Sequence, residues 1–136
     1  MNLLTPVSAV MSTGLVTVTV YTPLEEADGL FRKHGIHHLP VVSPEGGLVG
    51  MVSQSDFLKL LSLDRPAPTV QDIMTSGLAK LEPDDPLRTA VSVFALNKFH
   101  ALPVVAGERL VGMLTTLDLV RLLDAEETKL EDYRGA

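Results

Sequence analysis

The stretch Leu39-Pro40-Val41-Val42, followed across a Pro/Gly turn by Leu48-Val49-Gly50-Met51, returns unchanged as Leu102-Pro103-Val104-Val105 and Leu110-Val111-Gly112-Met113. Two tetrapeptides repeated in the same order mark an internal duplication, and a duplication governs how everything around it is read. Working outward, Met11 pairs with Met74 and Pro40 with Pro103 in one register. Gly50 then pairs with Gly112 and Asp56 with Asp118 in a register shorter by one residue. The deletion falls where Ser43-Pro44-Glu45-Gly46-Gly47 shortens to Ala106-Gly107-Glu108-Arg109. A turn is where a deletion costs least. The repeats run over 7–62 and 70–123, and residues 63–69 form a linker stiffened by Pro66 and Pro68. Residues 124–136 read as an extension of the last helix, carried by Ala125, Glu126, Leu130 and Tyr133.

Each repeat reads as strand, helix, hairpin, helix. Leu15-Val16-Thr17-Val18-Thr19-Val20 alternates with period two, which predicts a strand. Thr22-Pro23-Leu24-Glu25 has the form of a capping box with Pro at the first helical position. Leu24, Ala27, Leu30 and Phe31 then share one helical face, and Gly35 sits where a C-terminal cap belongs. In the second repeat Asp85-Pro86 opens the helix, Leu87, Ala90, Val93 and Phe94 line it, and Asn97 closes it. The apolar runs Leu39–Val42 with Leu48–Ser53, and Leu102–Val105 with Leu110–Thr115, are hairpins. A final helix starts near Gln54 and again near Thr116. One such unit has a sheet face that it cannot cover alone, so two copies bury those faces against each other and leave paired clefts at the seam.

Composition narrows the function. The chain has 136 residues, 46% of them apolar, which suits one globular domain rather than disorder. Seventeen acidic against eleven basic residues give a net charge of −6, which argues against a nucleic-acid surface. The absence of Cys removes disulfides, a thiol nucleophile and thiolate metal sites. The uncharged first 24 residues lack a basic leader, and Thr, Ser, Pro and Gly punctuate them, so neither a signal nor a membrane span is expected. A cytoplasmic location is the expectation.

Few residues can carry chemistry. Ser53-Gln54-Ser55-Asp56 and Thr115-Thr116-Leu117-Asp118 each follow a strand and open a helix. N-terminal capping accounts for that pattern. The same geometry places a carboxylate to accept ribose hydroxyls beside free helix N–H groups. His34, His37, His38 and His100 lack the converging ligands of a zinc site, so no metal is expected; as part-charged donors, His37 and His38 suit a phosphate. There is no Gly-x-Ser-x-Gly elbow, Walker loop or Gly-x-Gly-x-x-Gly, so no catalytic residue is assigned. Met11, Met51, Met74 and Met113 come as repeat pairs and read as core.

Val10-Met11-Ser12 with Ile73-Met74-Thr75, His37–Val42 with His100–Val105, and Leu48–Asp56 with Leu110–Asp118 together resemble the cystathionine-β-synthase (CBS) domain pattern, in tandem over residues 7 to 123. The resemblance implies an α/β (α+β) fold of two β-α-β-β-α units packed sheet to sheet with pseudo-two-fold symmetry. It also implies regulatory binding of AMP, ADP, ATP or S-adenosylmethionine, without a resident cofactor and with Mg²⁺ only beside a polyphosphate. Carried over, one cleft would use Ser53, Asp56, His37 and His38 with Ser76 and Ala79 across the seam. The other would use Thr115, Asp118 and His100 with Thr13 and Val16. His38 stands where the second repeat has Ala101, and neither position holds Arg, so the Asp56 cleft is expected to bind more tightly.

The leading expectation is therefore a non-catalytic regulatory module that signals to a separate effector protein and forms a homodimer, as the family commonly does. The alternative is an interaction scaffold with degenerate clefts. A small hydrolase built on His37, His38 and Asp56 is the third and least supported class.

Overall fold

The computed structural model describes residues 1–64 and 66–126. Two antiparallel hairpins organise it: β1 (His38–Val42) with β2 (Leu48–Ser53), and β3 (Ala101–Ala106) with β4 (Arg109–Thr115). Their registers match, with Pro40 opposite Met51 and Val41 opposite Gly50, then Pro103 opposite Met113 and Val104 opposite Gly112. A register shift follows at Val41/Val42 and at Val104/Val105. The duplicated tetrapeptides thus form equivalent ladders, bulges included.

The helices are α1 (Leu24–His34), α2 (Val70–Ile73), α3 (Leu87–Leu96) and α4 (Thr116–Asp124); Gln54–Ser62 is wound as a 3-10 helix. Helix α1 buries Leu24, Ala27 and Phe31, carries Glu25 and Glu26 in its first turn, and places Arg32, Lys33 and His34 in its last. That charge order complements the helix dipole. Gly35 ends α1 in the left-handed region at φ 60°, a conformation that Gly adopts without strain. Asn97 closes α3 by donating from Nδ2 to the Val93 carbonyl at 2.9 Å.

Three local expectations change. The segment Leu15–Val20 is not a strand. Only Val18 pairs, in a parallel bridge to Val41, although the alternation survives: Val18 is buried, Val16 and Val20 pack on the same core, and Thr17 and Thr19 face out. The Thr22 capping box does not form, because Pro23 is the N-cap and the Thr22 hydroxyl accepts from the Thr19 N–H at 3.0 Å. Asp85 likewise turns back to the Glu82 N–H at 2.8 Å, leaving Pro86 as the N-cap of α3. The expected course of the last helix toward Tyr133 falls in 127–136, outside the described residues; α4 ends at Asp124.

The N-termini of α1 and α3 are satisfied instead by the segments that lead into the other repeat. The Leu24 N–H donates to the Pro68 carbonyl, and the Leu87 and Arg88 N–H groups donate to the Thr5 and Leu3 carbonyls. These bonds belong to an exchange of leading segments. Val70 and Ile73 are buried in the core formed by Val18, Leu24, Ala27, Phe31, Leu39, Val41 and Val52. Val7 is buried in the core of Leu81, Leu87, Ala90, Leu102, Val104, Leu114 and Leu119. Each repeat therefore folds around the start of the other.

Backbone pairing fixes the crossing. Ser12 exchanges two hydrogen bonds with Met113 on β4 (2.8 and 3.0 Å), and Thr75 exchanges two with Met51 on β2 (both 2.9 Å). Gly50 and Gly112 permit that approach. A Cβ on Gly50 would lie 2.8 Å from Met74 Sδ and 3.1 Å from the Thr75 carbonyl, and one on Gly112 would run into Met11. No helix among the described residues is long and apolar enough to cross a membrane.

Candidate ligand clefts

Among the cavities that the described residues form on the seam, two lie where an exchanged segment passes the end of a hairpin. The larger, about 510 Å³, is lined by Ser12–Val16 from the leading segment, by His34–His38 from the end of α1 into β1, and by Thr115, Thr116, Asp118 and Arg121 at the start of α4. The smaller, about 330 Å³, is lined by Ser53, Ser55 and Asp56, by Thr75 and Gly77–Ala79, and by Lys98–Pro103.

The expected site residues distribute as follows. Thr115, Asp118, His100, Thr13 and Val16 all line the larger cavity. Ser53, Asp56, His38 and Ala79 line the smaller one. Ser76 is absent from that wall, whereas Thr75 and Gly77 are on it. His37 faces the larger cavity, opposite to the cleft expected from sequence, and its Nδ1–H donates to Gln54 Oε1 at 3.0 Å. His38 and His100 line both cavities, so they stand at their junction.

The two carboxylates sit in equivalent turns with different partners. Asp56 is 8% exposed and its lone pairs are engaged. Its Oδ1 accepts from Lys59 Nζ at 2.8 Å and from the Thr75 hydroxyl at 3.2 Å. Its Oδ2 accepts from the Ser53 N–H at 2.8 Å and the Ser53 hydroxyl at 3.1 Å. Burial pushes its pKa up, but Lys59 and Ser53 outweigh burial and hold it below the usual carboxylate value. Asp118 is more open. Its Oδ2 accepts from the Thr115 N–H at 2.8 Å, while the Asp118 N–H donates back to the Thr115 hydroxyl at 3.1 Å. Its Oδ1 has no hydrogen-bond partner among the described residues. Arg121 occupies the position of Lys59 in the second repeat, yet it lies along the cavity wall and forms no ion pair among the described residues.

All four histidines of the chain, His34, His37, His38 and His100, line the larger cavity. Burial holds the His38 pKa below the ordinary imidazole value; His37 and His100 push the same way and Asp56 opposes them. His38 is consequently neutral near pH 7. Among the described residues no group of three or more His, Asp or Glu is arranged to hold a metal ion.

Sequence reasoning missed Arg121, His34 and Lys98 as wall residues. For Arg121 a signal existed: Asp118 and Arg121 are three apart on one helix, so they share a face. His34 and Lys98 reach the walls only through the tertiary fold.

Comparison with known proteins places the chain. The CBS domain model matches twice, over residues 7–63 and 70–125. The CBS domain pair of protein MJ0100, solved with 5′-methylthioadenosine and S-adenosyl-L-methionine, is 30% identical, with a TM-score of 0.80 over 89% of this chain and 97% of that one. The protein CBSX2 in complex with AMP is also 30% identical, with a TM-score of 0.79 over 87% of this chain and 95% of that one. Among curated proteins, a homoserine O-acetyltransferase of Methanohalobium evestigatum is 31% identical over 121 residues. The chain spans 24% of that enzyme and 44% of an uncharacterized relative from Methanocaldococcus jannaschii, less than half of either. With both matches in tandem and the mixed α+β fold of the solved pairs, the chain belongs to the CBS domain family.

Proposed function

We propose that the chain is a regulatory module that binds an adenosyl ligand at the seam between its repeats, chiefly in the Asp118 cleft. The observation that carries this reading is the Asp118 Oδ1, which has no hydrogen-bond partner among the described residues, on a residue that lines a cavity of about 510 Å³. A carboxylate oxygen with free lone pairs accepts ribose hydroxyls at no cost in existing bonds. Thr13–Val16 offer an apolar and backbone wall for the base, and Arg121 with the histidines offers donors for the opposite end of the ligand. The Asp56 cleft is the lesser site, contrary to the sequence expectation, because a ligand there must displace Lys59 or Thr75 from the carboxylate. Relatives of similar fold hold 5′-methylthioadenosine, S-adenosyl-L-methionine or AMP, which supports the ligand class.

The output lies in protein contacts. Leu58, Leu61, Leu117, Val120 and Leu123 expose apolar side chains on the 3-10 helix 54–62 and on α4. The two helices hold equivalent places in the repeats, so the surface suits a homodimer whose geometry the ligand adjusts, or a separate effector. The same surface also favours the alternative reading, a scaffold with inactive clefts.

Thermal unfolding against AMP, ADP, ATP and S-adenosylmethionine, each with and without Mg²⁺, separates the two. A ligand at 100 times its dissociation constant adds about 2.7 kcal/mol of stability. Asp118→Ala should weaken binding about tenfold to a hundredfold, which is the range for a hydrogen bond to a charged group. No shift with any ligand at millimolar concentration would leave the scaffold reading.

A further inference from the structure

Equivalent nine-residue segments of the two repeats are wound differently. Gln54–Ser62 is a 3-10 helix and Thr116–Asp124 an α-helix, although each follows a strand and carries Asp at its third position. The closing hydrogen bonds agree. The Leu63 N–H donates three residues back, to the Leu60 carbonyl at 3.2 Å. Its counterpart Ala125 donates four back, to the Arg121 carbonyl at 3.0 Å. A long 3-10 run is uncommon, because its hydrogen bonds are poorer than those of an α-helix. Side-chain contacts must therefore favour that winding over 54–62.

Residues three apart eclipse in a 3-10 helix, so the segment presents three rows. Phe57 and Leu60 form the row against the first core, where Phe57 meets the Phe31 ring edge-on at 5.9 Å. Asp56 and Lys59 form the second, with Lys59 Nζ tied both to Asp56 Oδ1 and to the Ile73 carbonyl. Leu58 and Leu61 form the third, which faces out: they are 69% and 89% exposed. In an α-helix a residue three places on is offset by about 60°. Lys59 would turn away from Asp56, and Leu61 would swing from about 120° to about 40° off the line of Phe57. The α-wound repeat displays both consequences. Arg121 makes no ion pair with Asp118 among the described residues, and Leu123, the counterpart of Leu61, is 51% exposed.

We infer that Gln54–Ser62 is a two-state segment that gates the smaller cleft: its 3-10 form holds Lys59 on Asp56, and conversion to an α-helix takes Lys59 off Asp56 Oδ1 and draws Leu61 inward from the surface. The inference takes from the adenosyl-binding reading above only the ligand that drives the conversion. Lys59 is about half exposed, so its tie biases the two forms without locking them. The α form is shorter by roughly 4 Å over nine residues, which the connection to α2 takes up. One rotation thus joins cleft and surface. A ligand that needs Asp56 Oδ1 favours the α form, and a protein that covers the Leu58 and Leu61 row favours the 3-10 form. Each then weakens the other by the same factor.

Proton NOEs on the intact protein read the winding directly: Hα(i) to HN(i+2) contacts mark 3-10 turns, and Hα(i) to HN(i+4) contacts mark α turns. Ligand-free wild type should show the first set over 54–62 and the second over 116–124. Lys59→Gln keeps most of the stem and removes the tie. Without ligand it should gain HN(i+4) contacts over 54–62 and leave those of 116–124 unchanged, which also shows that it is folded. Broadening of the Leu61 methyl signals by a soluble gadolinium chelate should fall toward that of Leu123. Adenosine added to Lys59→Gln should abolish the remaining HN(i+2) contacts over 54–62. Full HN(i+4) contacts over 54–62 in wild type, or a ligand-free Lys59→Gln that keeps the wild-type pattern, would overturn the inference. Adenosine that binds neither cleft would overturn the adenosyl reading alone, because the winding of Lys59→Gln is read without ligand.

Discussion

The turns Ser53–Asp56 and Thr115–Asp118 occupy equivalent places after β2 and β4, yet only one has a carboxylate oxygen to spare. At Asp56 the neighbouring cation and the exchanged segment close on the carboxylate: Lys59 from the same helix and Thr75 from the opposite repeat. At Asp118 the equivalent cation, Arg121, stays on the cavity wall. Lys59 Nζ also donates to the Ile73 carbonyl at 2.9 Å, which anchors it toward α2 and away from the cavity. The two repeats thus carry similar pockets whose carboxylates differ in their partners: Asp56 is engaged at both oxygens, whereas Asp118 Oδ1 has no hydrogen-bond partner among the described residues.

The largest effect should come from removing the two carboxylates one at a time. Asp56→Ala deletes a buried acceptor of four hydrogen bonds or ion pairs and should lower stability by about 3 kcal/mol. Asp118→Ala removes an exposed-side cap worth about 1 kcal/mol. Urea denaturation reads both. Ligand-induced stabilisation should behave oppositely, surviving Asp56→Ala in proportion and falling to about half or less in Asp118→Ala. Equal losses of stability in the two variants would break the comparison.

The exchange of leading segments makes the next prediction. Val7 is fully buried in the core of the second repeat, as Val70 is in that of the first. Val7→Ala should cost about 2 kcal/mol from two lost methyl groups plus the cavity left behind. Its damage should appear away from its own repeat, as faster amide exchange in α3, whose Leu87 and Arg88 N–H groups bond to Thr5 and Leu3. Val70→Ala should loosen α1 in the same way. If exchange quickened first in α1 for Val7→Ala, the assignment of segments to cores would be wrong.

Much of this was legible in the sequence, and the failures share a cause. The hairpins, α1, α3, the Gly35 cap and the Asn97 cap all follow from residues within a few positions of one another. The N-caps expected for α1 and α3 failed because the competing partner was a backbone carbonyl more than forty residues away, Pro68 for Leu24 and Thr5 for Leu87, whereas those at Ser53 and Thr115 form. Leu15–Val20 showed the right alternation but formed one bridge, since periodicity reports which face is buried and leaves hydrogen bonding open. Nine of the expected site residues line the cavities expected for them. His37 and Ser76, although repeat counterparts of His100 and Thr13, do not, because which side of a short connection faces a cavity depends on the packing of both repeats. The different fates of Asp56 and Asp118 were half visible: Lys59 is three residues along the helix, whereas Thr75 arrives only with the exchange.

The smallest expected change in stability is the one that sharpens the comparison most. Lys59 is about half exposed, so its ion pair with Asp56 contributes under about 1 kcal/mol. Lys59→Gln keeps much of the packing stem and removes the charge that occupies Asp56 Oδ1. If saturation of that oxygen is what silences the smaller cleft, the variant should lose little stability and gain a second equivalent of bound adenosine. Adenosine is the right probe because it carries no charge to meet the altered field around His38 and Lys98. The gain should disappear in the double variant Lys59→Gln with Asp56→Ala, which restores a cleft without a ribose acceptor. If Lys59→Gln still binds a single equivalent, the difference between the clefts lies in their size, about 330 against 510 Å³, rather than in the partners of their carboxylates.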